Sequence, residues 1–300
     1  MTTGDGDAGG RLFPEDLDRV DPVAAVMLAD ACRAITAYPE LRVVGALFTA
    51  AERVERGWQV VTPCDPVPEG ARELLADHLG DRAALAGGPD ARDLLAAARE
   101  LRVGARDEVR AAGRTFRIVR IEQLVRSGPD GPEPPRPSDL DPRPSTRRVV
   151  PRPYELLDDG RLPPDMAASE LLCQLLDAAA HAGVEPASEA FLTPLPMYPS
   201  FAVAERVAGA WRPTGRLHDG PRAARDSLAL YFRHVVPAVE NPAEDERAAY
   251  AAAADLLDDG TRRNGVEVAG RRFRIVRIER ITLMGPDGPE PPRPTDLDTL

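Results

Sequence analysis

Residues 116–122 read Phe-Arg-Ile-Val-Arg-Ile-Glu, and residues 273–279 read the same seven in the same order. Each copy runs on into Gly-Pro-Asp-Gly-Pro-Glu-Pro-Pro-Arg-Pro, at 128–137 and at 285–294. Across 113–141 and 270–298, 22 of 29 positions are identical without a gap, at an offset of 157. Upstream, 51–79 aligns more weakly on 204–232 at an offset of 153. That block keeps Ala51-Glu52-Arg53-Val54 with Ala204-Glu205-Arg206-Val207, Trp58 with Trp211, and Ala71-Arg72 with Ala224-Arg225. Both blocks preserve chain order, so one duplication followed by a small insertion between 232 and 270 accounts for them.

Working outward from the signature, each copy divides into the same elements. Asp21-Pro22 supplies an N-cap and a first-turn proline, and Val23, Val26, Met27, Ala31, Ala34 and Ile35 recur at helical spacing until Tyr38-Pro39. Leu41 to Val54 and Trp58 to Val61 are rich in β-branched and aromatic residues and read as a hairpin turning at Glu55-Arg56-Gly57. Helices are expected from Pro68 and from Pro89 to Leu101. A second hairpin turns at Ala112-Gly113 and, in the second copy, at Ala269-Gly270.

Two hairpins without a βαβ rhythm predict an α+β fold: two tandem repeated modules, each an antiparallel sheet with helices on one face. The expected division is a disordered segment over 1–20, module one over 21–142, a proline-rich linker over 143–164 with a turn at Tyr154 to Asp159, and module two over 165–300. The two modules are expected to pack as a pseudo-dimer within one chain.

The signature strand breaks strict alternation, because Phe116 and Ile118 share one face while Val119 and Ile121 fall on the other. A β-bulge near Ile118-Val119 or burial on both sides reconciles this, and either makes it a central core strand. Its polar residues are basic: Arg114, Arg117, Arg120 and Arg126 in the first copy, and Arg271, Arg272, Arg274, Arg277 and Arg280 in the second. The tails are acidic, carrying Asp130, Glu133, Asp139 and Asp141, then Asp287, Glu290, Asp296 and Asp298. Each tail is therefore expected to lie back across a signature strand, its own or the other copy's.

Two candidate sites follow. Arg117, Arg120, Arg274 and Arg277, converging across a pseudo-twofold interface, would bind phosphate or carboxylate groups. Pro132, Pro134, Pro135, Pro137, Pro289, Pro291, Pro292 and Pro294 would hold polyproline II segments for a protein partner.

Other chemistry is excluded or unsupported. Of 38 Lys+Arg residues all are arginine, so Schiff-base and P-loop lysine chemistry is absent. No nucleotide-binding, zinc-protease or nucleophile-elbow motif occurs. His78, His181, His218 and His234 lack ligand spacing, and Asp158-Asp159-Gly160 and Asp258-Asp259-Gly260 are ordinary helix ends. Cys32, Cys64 and Cys173 indicate neither a disulfide framework nor a zinc site, so no metal or cofactor is expected. A net charge of −11 argues against nucleic acid or anionic membrane as partner. The first residues lack signal-peptide regions, so a cytoplasmic location is expected.

The strand and tail at 116–139 and 273–296, with Ala223-Ala224-Arg225-Asp226-Ser227-Leu228, resemble an actinobacterial family classed as a domain of unknown function. The resemblance implies a bacterial cytosolic protein and carries over no functional residues. The first copy departs from the helix motif, reading Gly70-Ala71-Arg72-Glu73-Leu74-Leu75. The leading expectation is a non-enzymatic binding or scaffolding protein. The alternative is an anionic small-molecule binding protein or enzyme with an arginine/acid site between the modules.

Overall fold

The computed structural model describes residues 22–55, 57–104, 106–141, 154–156, 190, 191 and 193–296. The segment 1–20, Cys173, His181, Asp158-Asp159-Gly160 and Asp298 lie outside the described residues, as does all of the linker except 154–156.

Along residues 22–141 the order is α1 (Pro22–Ala37), β1 (Glu40–Val54), β2 (Gly57–Val60), α2 (Pro68–Ala86), α3 (Gly88–Val103), β3 (Glu108–Ala111), β4 (Arg114–Gly128) and β5 (Gly131–Pro132). Next come β6 (Tyr154–Leu156), β7 (Thr193–Val207), β8 (Ala210–His218) and α4 (Pro221–Leu230). A π-helix over Tyr231–Glu240 follows, then α5 (Glu244–Asp258), β9 (Gly265–Val268), β10 (Arg271–Gly285) and β11 (Gly288–Pro289). Pro237 sits inside the π-helix. It has no amide to donate to the fourth residue back, and wider turns relieve its clash with that carbonyl.

The strands form one antiparallel sheet of 11, in the order β6-β2-β1-β4-β10-β7-β8 with four short strands alongside. β4 and β10 join strands from the two halves of the chain, so the sheet runs unbroken across both. Three of the hairpin turns hold alanine then glycine at positive φ: Ala112 at 49° with Gly113 at 72°, Ala208 at 49° with Gly209 at 84°, and Ala269 at 48° with Gly270 at 71°. These are the primed turns whose twist matches the strands they connect.

Helices α2 and α3 cover one end of the sheet, burying Leu75, Leu79, Leu94 and Leu101 against Phe48, Phe116 and Ile118. α4, the π-helix and α5 cover the other end, burying Leu228, Phe232, Val236, Tyr250 and Leu257 against Phe201, Phe273 and Ile275. Four aromatic pairs tighten this second core, Phe232 and Phe273 lying edge to face with centroids 5.1 Å apart.

Strand β4 is buried continuously from Ile118 to Leu124. Its register against β1 runs evenly through Ala50↔Ile118 and Thr49↔Val119. The broken alternation thus reflects burial on both faces. The register shifts lie elsewhere, at Val43/Gly45 in β1, at Ile278/Arg280 in β10 and at Phe201/Val203 in β7. Among the described residues no helix is long and apolar enough to cross a membrane.

Candidate functional site

β4 and β10 pair over three positions only, Glu279↔Leu124, Arg280↔Gln123 and Ile281↔Glu122. The pairs are centred on Gln123 and Arg280, which stand 157 positions apart in sequence. On either side of this crossing a residue of a proline-rich tail bridges the two strands. Glu290 donates its amide to the Leu283 carbonyl at 2.8 Å, and its carbonyl accepts the Arg120 amide at 2.8 Å. Glu133 does the same on the opposite side, donating to Arg126 O at 2.8 Å and accepting from Arg277 N at 2.9 Å.

Each tail therefore docks on the signature strand of the other half. The side chains repeat the exchange. Arg277 Nε donates to both oxygens of Asp139 at 3.0 and 3.1 Å, and Arg136 donates to Glu279 at 2.6 Å. In the mirrored cluster Arg120 Nε donates to Asp296 at 3.2 and 2.9 Å, and Arg293 pairs with Glu122 at 3.2 Å. Arg120 with Glu122 and Arg277 with Glu279 close each group within its own strand. The first tail reaches further, to α4, where Asp141 pairs with Arg225 at 2.5 Å, both nearly buried.

Buried charges persist only when paired, and each of these groups has at least one oppositely charged partner. Burial raises the Glu279 carboxyl, but Arg277, Arg136 and Arg126 outweigh it and hold the group below its ordinary value. Burial likewise opposes charge on Arg136, yet Glu279 and Glu133 hold its guanidinium well above the usual range. The clusters differ at one place. Buried Arg126 acts on Glu279, whereas the corresponding position in the second half is Leu283. Among the described residues each cluster keeps one buried atom without a hydrogen-bond partner, Glu122 Oε2 in the cluster without that arginine and Arg277 NH1 in the one with it.

Outside the clusters sits a second repeated contact. Arg117 lies over Trp58 at 4.9 Å and donates to Pro289 O at 3.1 Å. Arg274 lies over Trp211 at 5.0 Å and donates to Pro132 O at 2.8 Å. Gly288 and Gly131, at φ 116° and 109°, abut these indoles so closely that a Cβ on either would stand 2.2 Å from a ring nitrogen.

Here the halves diverge. Arg117 is neutralised by Glu108, which accepts from Nε at 2.9 Å and from NH2 at 2.6 Å. The residue facing Arg274 in the same register is Gly265. Arg272 also lies over Trp211, at 5.9 Å. Among the described residues neither Arg272 nor Arg274 has a carboxylate within ion-pair distance. Burial pushes the Arg274 guanidinium down, with Arg272 adding repulsion that Tyr38 and Asp130 partly offset. Gly265, Val266, Glu267, Arg272, Phe273 and Arg274 line an open cleft of about 280 Å³.

The four arginines read from sequence as one anion site are not brought together. In the register of the crossing, Arg120 and Arg277 lie some six residues apart along the strands, about 20 Å. Each is committed to a carboxylate of the opposite tail. Arg117 carries Glu108, which leaves Arg274 as the member with a free face. The proline segments are also engaged within the chain: Pro132 and Pro289 are buried, Pro134, Pro135, Pro291 and Pro292 half-buried, and only Pro137 and Pro294 exposed. Sequence reasoning missed Arg272 and Trp211 as site residues. The signal was present in the 157-residue alignment, where Glu108 becomes Gly265 and Thr115 becomes Arg272.

The model of one protein family, the family of unknown function DUF5954, matches residues 21–299. No curated protein and no solved structure matches the chain.

Proposed function

The chain belongs to that family of unknown function, and from this premise we propose a non-enzymatic binding protein, built of two tandem repeated modules, that holds an anionic group at Arg272 and Arg274 over Trp211. The two-module part is supported by the 157-residue repeat and by tails that cross reciprocally at matching positions. A crossing centred on Gln123 and Arg280 is what a twofold axis between the modules requires.

The binding part is carried by one observation: Arg274 lacks the carboxylate that its counterpart Arg117 has. Arg274, half-buried on the indole face, presents donors with their orientation already set, and exposed Arg272 adds a second guanidinium beside it. Phosphate and carboxylate ligands match such a fork, and each charge-assisted bond is worth about 1.5–3 kcal/mol.

The test is titration of inorganic phosphate, pyrophosphate and citrate at low ionic strength, read by calorimetry and by Trp211 emission in a Trp58→Phe background. Saturable binding weakened by salt is expected. Arg274→Gln should weaken it about tenfold or more, and Gly265→Glu should abolish it by restoring the internal carboxylate. A Cβ at Gly265 meets nothing closer than Phe273 O at 3.6 Å, so that variant is sterically tolerated. The converse variant, Glu108→Gly, should open a second site at Arg117. Absence of binding, or equal binding by Gly265→Glu, would remove the reading.

A further inference from the structure

The two ends of the sheet are finished differently. At one end β6 covers β2 in the register Val60↔Tyr154, Gln59↔Glu155, Trp58↔Leu156. At the other end β8 pairs with β7 alone among the described residues, and residues 212–217 are exposed. β2 and β8 correspond through Trp58 and Trp211. The segment carrying β6 precedes the second half in sequence yet pairs with the first. Exchange by a twofold axis would send the segment preceding the first half onto β8.

We propose that the outer edge of β8 is the docking edge for residues 13–15 of this chain, Phe13-Pro14-Glu15, which add there as a short strand as β6 adds to β2. This rests on the two-module reading above. At an offset of 141, Arg11, Asp18, Pro22 and Cys32 fall on Arg152, Asp159, Pro163 and Cys173, and Phe13 falls on Tyr154.

The hydrogen-bonding groups fit this register. Val61 N donates to Ala50 O, so on β2 the groups of Trp58 and Val60 face outward, toward β6. The same alternation turns Trp211 and Pro213 outward on β8. Trp211 would then exchange both its bonds with Glu15, and Pro213 would accept from the Phe13 amide. Pro14 takes the middle place, where its missing donor faces away from β8 and costs no bond. Acidic Glu15, Asp16 and Asp18 would lie along an edge bearing exposed Arg212 and Arg216.

The reach is adequate. Asp30 of α1 accepts the Ser138 amide at 2.8 Å, within the tail that crosses onto the second half. Two residues on, the Leu140 carbonyl lies beside Gly220, just past the end of β8, 3.7 Å from where a Cβ there would stand. From Asp30 to Pro22 is about 12 Å of helix, and nine further residues extend up to about 30 Å. A second copy of the chain is a poorer occupant, because Pro213 interrupts the donors that a long edge-to-edge pairing would need.

Hydrogen exchange at the Trp211 amide, followed at residue resolution, tests the proposal. The full chain is compared with a variant lacking residues 2–20 and with Phe13→Pro, which removes the amide aimed at β8. Both variants should exchange about tenfold faster or more at Trp211, while amides of β10 are unchanged. Equal exchange in all three proteins would overturn the proposal. So would protection that survives the deletion and grows with protein concentration, which would assign the edge to a second copy. Either failure leaves the two-module reading standing, since that depends on the crossed tails.

Discussion

Replacing Arg277 with methionine keeps most of the buried stem and deletes the guanidinium that joins the two halves. Asp139 loses the partner that meets both its oxygens, and Glu279 loses one of its three cations. The side chains of Arg277 and Asp139 are 7% and 5% exposed, so water does not replace what is lost. Removing one member of a buried pair costs about 3–5 kcal/mol. Arg136 and Arg126 still face Glu279, and the Arg136 amide still reaches Asp139 at 2.7 Å, so the low end, about 3 kcal/mol, is expected.

Arg120→Met should cost more. Its cluster has Leu283 where the other has Arg126, and Glu122 would keep Arg293 alone. Equilibrium urea unfolding gives the magnitudes, and cleavage by endoproteinase Asp-N before Asp139 or Asp296 reports the released tail. The double variant Arg277→Met/Asp139→Leu should recover part of the loss, because it leaves one fewer buried charge unpaired. An exposed control, Arg42→Met beside Glu40, should change stability by less than ~1 kcal/mol. If Arg277→Met falls within the range of that control and Asp-N cleavage is unaltered, the crossed tails do not bind the halves as described.

Gly288→Ala should destabilise by about 2–3 kcal/mol, combining an unfavourable φ with a Cβ driven into the Trp58 ring, and should shift Trp58 emission as the tail lifts. Ala269→Asn, at an exposed turn position with φ 48°, should stabilise by about 0.5–1 kcal/mol in the same unfolding assay, since Asn tolerates that backbone far better than Ala. Acid should loosen the crossing. Glu279 has its carboxyl lowered in the folded state, so its contribution is complete above the ordinary carboxylate value and is lost as pH falls through the folded one. Stability measured from pH 7 down to pH 3 should therefore fall less steeply in Glu279→Gln than in the parent; equal slopes would assign the acid sensitivity elsewhere.

Much of the secondary structure is legible because it is locally determined. Pro22, Pro68 and Pro89 mark the helix starts, and the Ala-Gly turns and β-branched runs mark the hairpins. The opposed charge of strand and tail is also legible, and it leads to the idea that the tails dock. Which strand receives which tail is not legible. The signature is identical in both halves, so Glu133 meets the same Phe-Arg-Ile-Val-Arg-Ile-Glu whether it stays or crosses. The single sheet is hidden for a related reason: the β4–β10 pairing spans three residues, two of them polar, and leaves no hydrophobic pattern. β6 lies in a stretch whose prolines read as linker, and it is held by the edge of β2, a partner nearly a hundred residues away. The Arg272–Arg274 face depends on what is missing opposite it, and only aligning the halves discloses that Glu108 has become Gly265.

The crossed tails also determine what happens to the molecule if its chain is cut. A break between residues 142 and 153 severs the backbone but none of the contacts through which Glu133, Arg136, Asp139 and Asp141 grip the second half, or Glu290, Arg293 and Asp296 the first. The second fragment would still carry β6 to the edge of β2. The protein is thus a ready-made split pair, in which either fragment alone would expose charged residues that only the other can satisfy, and the two together would reassemble without a covalent link.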